Sequence, residues 1–175
     1  MHTFTLYKCA YRVNEHNAYY PQKVKISGAE DLRGVVMYDH VAATYRNNHR
    51  YNDDFIQSDC IMLDLDNTHS DDPADWKTPD DVAAAFPGVE FYAVESRSHM
   101  KIKDGKAARP KHHYYFPINT VTNAEKYKQY KEWIISLFRF NNDDIFDRKA
   151  KDSARMFYGV ENPTVYHYGG VTNAD

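Results

Sequence analysis

Cysteine is scarce in this chain of 175 residues, which has only Cys9 and Cys60. Two cysteines are too few for the disulfide framework of a small secreted domain, and they lack the paired spacing of a zinc site. The sequence also lacks a signal peptide and any apolar run long enough to cross a bilayer. We therefore expect a soluble, cytoplasmic protein with no membrane partner.

An excess of basic charge is missing as well. The formal net charge is -3, so no overall positive field indicates a nucleic-acid partner. There are no internal repeats or low-complexity segments, and the length suits a single domain. Aromatic side chains, in contrast, are abundant, at 15% of the residues with 15 tyrosines. They serve either to pack a core or to stack on bases.

One apolar stretch, residues 60–63, leads directly into two acids, Asp64 and Asp66. Side chains alternate between the faces of a strand, so both acids face one side while Leu63 and Leu65 face the other. Two carboxylates this close repel each other unless a cation lies between them. This pattern indicates a site for Mg²⁺ or Mn²⁺, which prefer carboxylate oxygens. The alternative is a polar turn that caps itself after the strand.

Capping and turn signals divide the rest of the chain into strands and helices. Strands are expected at 3–13, before Asp64, at 90–94, at 112–118 and at 154–159. Helices are expected from Ser27 with Glu30 as capping partner, from Thr78, and from Asn123. The strands at 90–94 and 112–118 flank a basic turn, 101–111, and so form a hairpin with a positive tip. The predicted class is α+β with a mostly antiparallel or mixed sheet.

Two of the helices carry apolar stripes that we assign to the core. The first stripe comprises Leu32, Val35, Val36 and Val41, and that of the third helix comprises Tyr127, Tyr130, Ile134, Leu137 and Phe138. Residues 44–51 are basic, aromatic and rich in amides. They form either a solvated loop, which we favour, or a surface that contacts phosphates and stacks on bases.

A third acid and a histidine-bearing strand complete a pattern typical of phosphoryl or nucleotidyl transfer. Asp147 follows the apolar pair Ile145–Phe146, and the strand at 112–118 starts with two histidines. In that chemistry two metal ions hold the attacking and leaving oxygens, while basic side chains neutralise the triphosphate. Arg155, further along, either pairs with Asp147 or Asp152 or supports the site.

The order of these motifs resembles the catalytic core of the archaeo-eukaryotic primase superfamily, in particular the small primase-polymerases of phages and plasmids. The resemblance covers residues 55–160. It rests on the acid motif at 63–67, the His motif at 109–118, and the segment 145–159 with the last acid. It implies an RRM-like sheet in 56–165, a small αβ unit in 1–55, and a tail or linker in 166–175, in a bacterial or phage-infected cell.

The resemblance also implies a role for each site residue. The acids Asp64, Asp66 and Asp147 would hold two Mg²⁺ or Mn²⁺ ions. The triphosphate of an NTP or dNTP would lie against His113, Arg109, Lys111, Ser96, Arg97, Ser98 and Arg155. The partners would be a single-stranded DNA template and a replicative helicase or accessory primase domain. His112 competes with His113, and Asp152 competes with Asp147. The family's Ser-x-His form is broken at His113, because Lys111 stands where the serine would be.

Two other functions compete with a primase-polymerase. Residues 64–68 also match the Asp-x-Asp-x-Thr motif of haloacid-dehalogenase-type phosphatases, in which Asp64 would be the nucleophile. That family would place the motif in an alternating parallel βα array. The second alternative is a non-catalytic replication-initiator module that binds nucleic acid through its aromatic side chains. It would leave the clustered acids unexplained, since they repel phosphate without a metal.

Overall fold

The computed structural model describes residues 2–102 and 105–169, which fold into an α+β arrangement of antiparallel sheets and three α-helices. The strands are β1 (Phe4–Lys8), β2 (Gln22–Ile26), β3 (His40–Val41), β4 (Ala43–Tyr45), β5 (Phe55–Leu65), β6 (Phe91–Glu95), β7 (His112–Val121), β8 (Arg139–Phe140), β9 (Asp143–Asp144), β10 (Met156–Phe157) and β11 (Val165–Tyr168). The helices are α1 (Ala29–Val36), α2 (Pro79–Ala85) and α3 (Ala124–Leu137).

The central sheet has five strands in the order β11-β6-β7-β5-β4, and a smaller sheet has the order β10-β3-β1-β2. Every neighbouring pair in both sheets is antiparallel. The predicted hairpin of 90–94 and 112–118 is confirmed, with Val94 opposite His113 and Glu95 opposite His112. The same strand β7 pairs with β5, where Asp64 lies opposite His113. The acid motif and the His motif are therefore neighbours across one ladder.

Each face of the central sheet is covered, which explains why β5 is almost continuously apolar. Ile61, Leu63 and Leu65 pack in the core that also contains residues of α2 and α3. Cys60 and Met62 pack on the other side, against α1 and the smaller sheet. Asp64 continues this second row, so its side chain points towards the side of the smaller sheet.

The predicted division of the chain into 1–55 and 56–165 does not separate the two sheets. β4, from the first part, pairs with β5, and β10, from the second part, pairs with β3. The predicted tail at 166–175 starts inside β11, which pairs with β6, and residues 170–175 lie outside the described residues. Pairing between distant segments depends on the whole sheet, so local pattern alone did not reveal these exchanges.

Several predicted boundaries near the N-terminus are wrong. The first strand is shorter than 3–13, and the strand β2 was missed because its five residues are mostly exposed. The helix α1 is capped by Gly28 rather than Ser27, and Ser27 instead donates its backbone N–H to Asp31. Val41 belongs to β3 and not to the stripe of α1.

Later elements follow the capping signals more closely. Thr78 precedes α2, and its backbone N–H and hydroxyl both donate to the Asp81 carboxylate. This arrangement resembles a capping box. Asn123 caps α3 by accepting from the N–H of Lys126. The stripe of α3 is partly wrong, however, because Tyr130 and Leu137 are 37% and 51% exposed. The strand expected at 154–159 shrinks to the two residues of β10.

A buried histidine between the two sheets predicts acid sensitivity. His40 is fully buried, and its Nδ1 donates to the carbonyl of Tyr38 while its Nε2 accepts from the Tyr115 hydroxyl. Burial lowers the pKa of His40 to about 4. The unfolded chain therefore binds the proton more tightly, and stability falls as the pH drops from about 6.5 to 4. We expect His40 to account for a loss of about 2–3 kcal/mol in that interval.

Urea denaturation at several pH values measures this loss. The variant His40→Gln should lose less stability than the wild type between pH 6.5 and 4, because glutamine has no proton to take up. Equal losses in the two proteins would contradict the assignment.

Candidate functional site

Asp64 and Asp66 lie at the end of β5, where the chain passes from the buried sheet to a more exposed position. Asp64 is still in the strand and is 9% exposed, and its Oδ1 is buried without a hydrogen-bond partner among the described residues. Asp66 follows directly after the strand, and its Oδ2 lies 3.6 Å from the Nζ of Lys111. The two acids are therefore in different settings, one enclosed and the other at the rim.

Asp147 is brought to the same place by a backbone contact. Its N–H donates to the carbonyl oxygen of Asp64 at 2.8 Å. Its side chain then accepts from the N–H of Lys149, which caps a short 3₁₀ turn, Arg148–Lys151. Residue 147 thus lies beside the end of β5 although it is 83 positions further along the chain than Asp64.

A guanidinium group lies between two of these acids. The Nη2 of Arg155 is 3.3 Å from Oδ2 of Asp64 and 3.6 Å from Oδ2 of Asp147. The pairing of Arg155 with Asp147, expected from the sequence as one possibility, is present. Arg155 provides the positive charge that two neighbouring carboxylates need, but it leaves Oδ1 of Asp64 without a partner.

The environment of Asp64 disfavours the negative charge of its carboxylate. Burial first, and then the neighbouring Asp66, raise its pKa, Arg155 acts in the opposite direction, and the net pKa is about 7. Desolvation and like charge both disfavour an ionised carboxylate, so a second cation would be stabilised here. The three acids and the unpartnered oxygen fit the oxygen-rich ligand set of Mg²⁺ or Mn²⁺. Arg155 lies where the acids converge, and the carboxylates do not close into a tight cluster around it.

A cavity of about 380 Å³ opens beside Asp64 and Asp66. Its remaining lining consists of polar and basic side chains with a few apolar ones: Arg50, Ser96, Arg97, Ser98, His113, Asp152, Ala154, Arg155, Met156, Phe157 and Tyr158. Ser96, Arg97 and Ser98, predicted from the sequence to contact a triphosphate, thus line the same cavity as Asp64 and Asp66. The hydroxyl of Ser96 is buried, and no residue in 2–102 or 105–169 makes a hydrogen bond to it.

The structure distinguishes the two adjacent histidines by the face they occupy. His113 lines the cavity, with its Nε2 3.9 Å from Oδ1 of Asp64 and its ring stacked on Phe157 at 3.9 Å. His112 points to the opposite face, where its ring lies 4.8 Å from that of His99. Burial, then the neighbouring His40 and Arg155, lower the pKa of His113. A neutral imidazole at the cavity can donate one hydrogen bond and accept another.

Arg109 is not in this cavity. It is 3% exposed, and its guanidinium donates to the carbonyl oxygens of Asn67 and Ser70 and pairs with Asp71. It therefore fixes the loop that follows β5, which is a positioning role rather than the phosphate contact that was predicted. Lys111 lies at the rim against Asp66, and with Arg109 it lines a separate cavity of about 200 Å³.

The rival third acid, Asp152, is also at the site. Asp152 lines the 380 Å³ cavity, whereas Asp147 lines an adjoining cavity of about 590 Å³ together with Asp66. The structure therefore brings both acids next to Asp64, and Asp147 has the closer backbone connection. Arg50 is a lining residue that the sequence singled out only as part of the basic segment 44–51. Its guanidinium donates to the carbonyl of Ala154.

A buried lysine that sequence reasoning missed supports the segment bearing these acids. Lys131 is 1% exposed, and its Nζ donates to the carbonyl oxygens of Ala150 and Asp152. It lies on α3 next to Tyr127, so the helix fixes the segment 150–152, which includes the cavity residue Asp152. Helical spacing gave no signal, because a lysine adjoining an apolar stripe is usually solvated.

We expect Lys131 to make the stability of the protein rise with pH, whereas a buried acid makes it fall. Burial lowers the pKa of Lys131 to about 7, so the unfolded chain holds the proton more tightly from pH 7 up to the usual value near 10.5. The stability of the wild type should therefore rise relative to Lys131→Met as the pH increases, by on the order of 1–2 kcal/mol between pH 7 and 9. Urea denaturation measures the difference, and Lys126→Met, an exposed lysine on the same helix, is the control. A difference that does not change with pH would contradict this account.

Comparisons of the chain with protein-family models, with curated proteins and with solved structures give no match. Among the helices of residues 2–102 and 105–169, none is both long and apolar enough to span a membrane. The functional argument therefore depends on the site itself.

Proposed function

We propose that the chain is a metal-dependent nucleotidyltransferase, a primase-polymerase catalytic domain that adds NTPs or dNTPs on a single-stranded DNA template. One observation carries the proposal. Asp64 and Asp66 line one cavity together with Ser96, Arg97 and Ser98, and Arg155 links Asp64 to Asp147, which comes from a distant segment. Acids on one side and phosphate-binding groups on the other are what a metal-bound triphosphate requires.

The residues have separable roles in this proposal. Asp64, Asp66 and Asp147 hold Mg²⁺ or Mn²⁺, with Asp152 as an alternative third ligand. When bound, the ions supply electrostatic stabilisation to the charge that develops on the transferring phosphoryl group. Arg155 keeps two acids in place through its ion pairs, and lies close enough to contact a phosphate oxygen.

The basic and hydroxyl-bearing side chains of the cavity hold the triphosphate in this proposal. Arg97 supplies positive charge, the Ser96 hydroxyl is an unsatisfied donor, and neutral His113 donates one hydrogen bond to a phosphate oxygen. Charge-assisted hydrogen bonds of this kind are roughly twice as strong as neutral ones. The stacking of His113 on Phe157 fixes the plane of the ring, so the donor is oriented before the nucleotide arrives.

A row of aromatic rings next to the cavity supports a single-stranded template. The His49 ring lies 5.3 Å from that of Tyr19 and 6.3 Å from that of Tyr51, and both tyrosines are more than half exposed. Arg50, in the same segment, lines the cavity. Exposed rings beside basic side chains are the usual means of binding single strands without sequence preference. The segment 44–51, for which the sequence alone favours a solvated loop over a base-stacking surface, therefore suits the second of these roles.

The two alternatives explain less of the geometry. A phosphatase of the haloacid-dehalogenase type would carry its nucleophile at the end of a parallel strand, but β5 is antiparallel to β4 and to β7. A non-catalytic binding module would use the aromatic row, yet it gives no reason for three converging acids. The nucleotidyltransferase accounts for both features.

The deciding experiment measures incorporation of labelled nucleotide on a primed and an unprimed single-stranded DNA template with Mg²⁺ or Mn²⁺. We expect metal-dependent incorporation. Phosphate release from a phosphomonoester without incorporation would overturn the proposal in favour of the phosphatase. Metal-independent DNA binding with neither activity would favour the binding module.

A further inference from the structure

We infer a second metal site, of the zinc type, on the opposite face of the β6–β7 hairpin, formed by Glu95, His99 and His112. The ligand atoms of these three residues all lie within 4.8 Å of one another. Within the part of the chain that the structure describes, no other group of three His, Cys, Asp or Glu residues is this close. Two imidazoles and one carboxylate are a common zinc ligand set, and they leave a fourth position for water.

The three residues come together through the hairpin itself. Glu95 and His112 are directly opposite each other on β6 and β7. His99 returns to them because the chain turns after β6, with its N–H donating to the carbonyl of Ser96. The site therefore needs only the pairing of two strands and one tight turn.

His112 has the character of an unused ligand. It is 3% exposed, its Nδ1 is buried without a hydrogen-bond partner, and its ring contacts that of His99. Burying a polar nitrogen without a partner is costly, so such groups usually have a hydrogen-bond partner or bind an ion. No donor or acceptor of the described residues fulfils that need.

The other two ligands are oriented by a second layer of hydrogen bonds. Oε1 of Glu95 accepts from the Tyr166 hydroxyl at 2.9 Å, and Oε2 accepts from the Thr164 hydroxyl at 2.9 Å. Nδ1 of His99 lies 3.1 Å from the carbonyl oxygen of Lys111 and 3.1 Å from its amide nitrogen. In the metal-free protein the Lys111 N–H donates to Nδ1. The tautomer that binds a metal instead carries its proton on Nδ1, donates to the Lys111 carbonyl, and leaves the lone pair of Nε2 directed towards Glu95. Such partners are typical of protein zinc ligands.

The distances leave a short movement to complete the site. The Nε2 of His99 is 3.8 Å from Oε1 of Glu95, while two ligands of a tetrahedral zinc ion lie roughly 3.4 Å apart. Small rotations of the three side chains close the difference. The backbone of the hairpin does not have to change.

The position of the site suggests what it does. Residues 96–98, which line the acid cavity, lie between the ligands Glu95 and His99 in the chain. An ion that joins those two ligands to His112 therefore fixes both ends of the segment that carries Ser96, Arg97 and Ser98. The metal site stands on its own observations and does not depend on nucleotidyl transfer.

Zinc binding is tested by competition with a chromogenic chelator, and the geometry is tested by the visible absorption of Co²⁺ in place of Zn²⁺. All proteins carry Asp64→Asn and Asp66→Asn, so that the acid cavity does not contribute. We expect one Zn²⁺ per chain, and a loss of about 100-fold or more in affinity for His99→Gln, Glu95→Gln and His112→Gln.

The control is His167→Gln. His167 and His2 both contact Glu90, which makes a second His–Glu–His arrangement, but their nitrogens are already hydrogen-bonded to that carboxylate. Zinc affinity should be unchanged in this variant. Circular dichroism and thermal melting of the metal-free proteins establish that each variant folds. If the buried substitution His112→Gln prevents folding, His99→Gln and Glu95→Gln alone test the site. Absence of stoichiometric zinc binding, or its loss with His167→Gln instead of His99→Gln, would overturn the inference.

Discussion

Replacing Asp64 with asparagine should reduce templated nucleotide incorporation by on the order of 10³-fold or more, the scale on which charged groups act in phosphoryl transfer. Asparagine keeps the shape of the side chain but removes the negative charge that would hold a divalent cation. The same loss is expected for Asp66→Asn. Incorporation of labelled nucleotide on a single-stranded template, at saturating Mn²⁺ and nucleotide, measures the effect.

The matched control for this prediction is Asp59→Asn, on the same strand. Asp59 accepts hydrogen bonds from the N–H and the hydroxyl of Thr5, far from the cavity. Its replacement tests whether any acid lost from β5 impairs the protein. We expect nearly full activity in Asp59→Asn, and an equal loss in both variants would mean that the effect on Asp64 is structural.

The second large effect is a gain of stability from the same substitution. Asp64 is buried, it adjoins Asp66 and Asp147, and its pKa is raised to about 7, chiefly by burial. The folded protein thus holds the Asp64 proton more tightly than the unfolded chain does. Asp64 therefore lowers stability increasingly as the pH rises from about 4 to 7, and the full cost is present at pH 8.

In the presence of EDTA at pH 8, we expect Asp64→Asn to be more stable than the wild type by on the order of 1–3 kcal/mol. Arg155 keeps its ion pair with Asp147 in the variant, which limits the loss of favourable contacts. Urea denaturation at pH 8 and at pH 5 measures the difference, which should shrink at pH 5. A variant less stable than the wild type at pH 8 would show that Asp64 is held for its ion pair with Arg155 alone.

Alternation along strands was the part of the site that the sequence could predict. It placed Leu63 and Leu65 opposite to Asp64, and it implied that only one of His112 and His113 could face the acids. The hairpin and the antiparallel class followed from turn signals and apolar runs in the same way. These are local properties, which a sequence expresses directly.

The residues that were misplaced depend on contacts between distant segments. Arg109 was predicted to bind phosphate because its charge can be read from the sequence. Its burial against Asn67 and Ser70 cannot be read there. Lys131 was overlooked for the same reason. The strand β2 was missed because its residues are mostly exposed. Its strand conformation depends on pairing with β1.

Direct binding of Mn²⁺, followed by the electron paramagnetic resonance signal of the free ion, tests most closely whether the acid cavity is a divalent-cation site. The titration is carried out in the His99→Gln background, so that Glu95 and His112 do not contribute. We predict binding that Asp64→Asn weakens by about 100-fold or more and that Asp59→Asn leaves unchanged. Equal Mn²⁺ affinity in the Asp64→Asn and Asp59→Asn proteins would contradict the account.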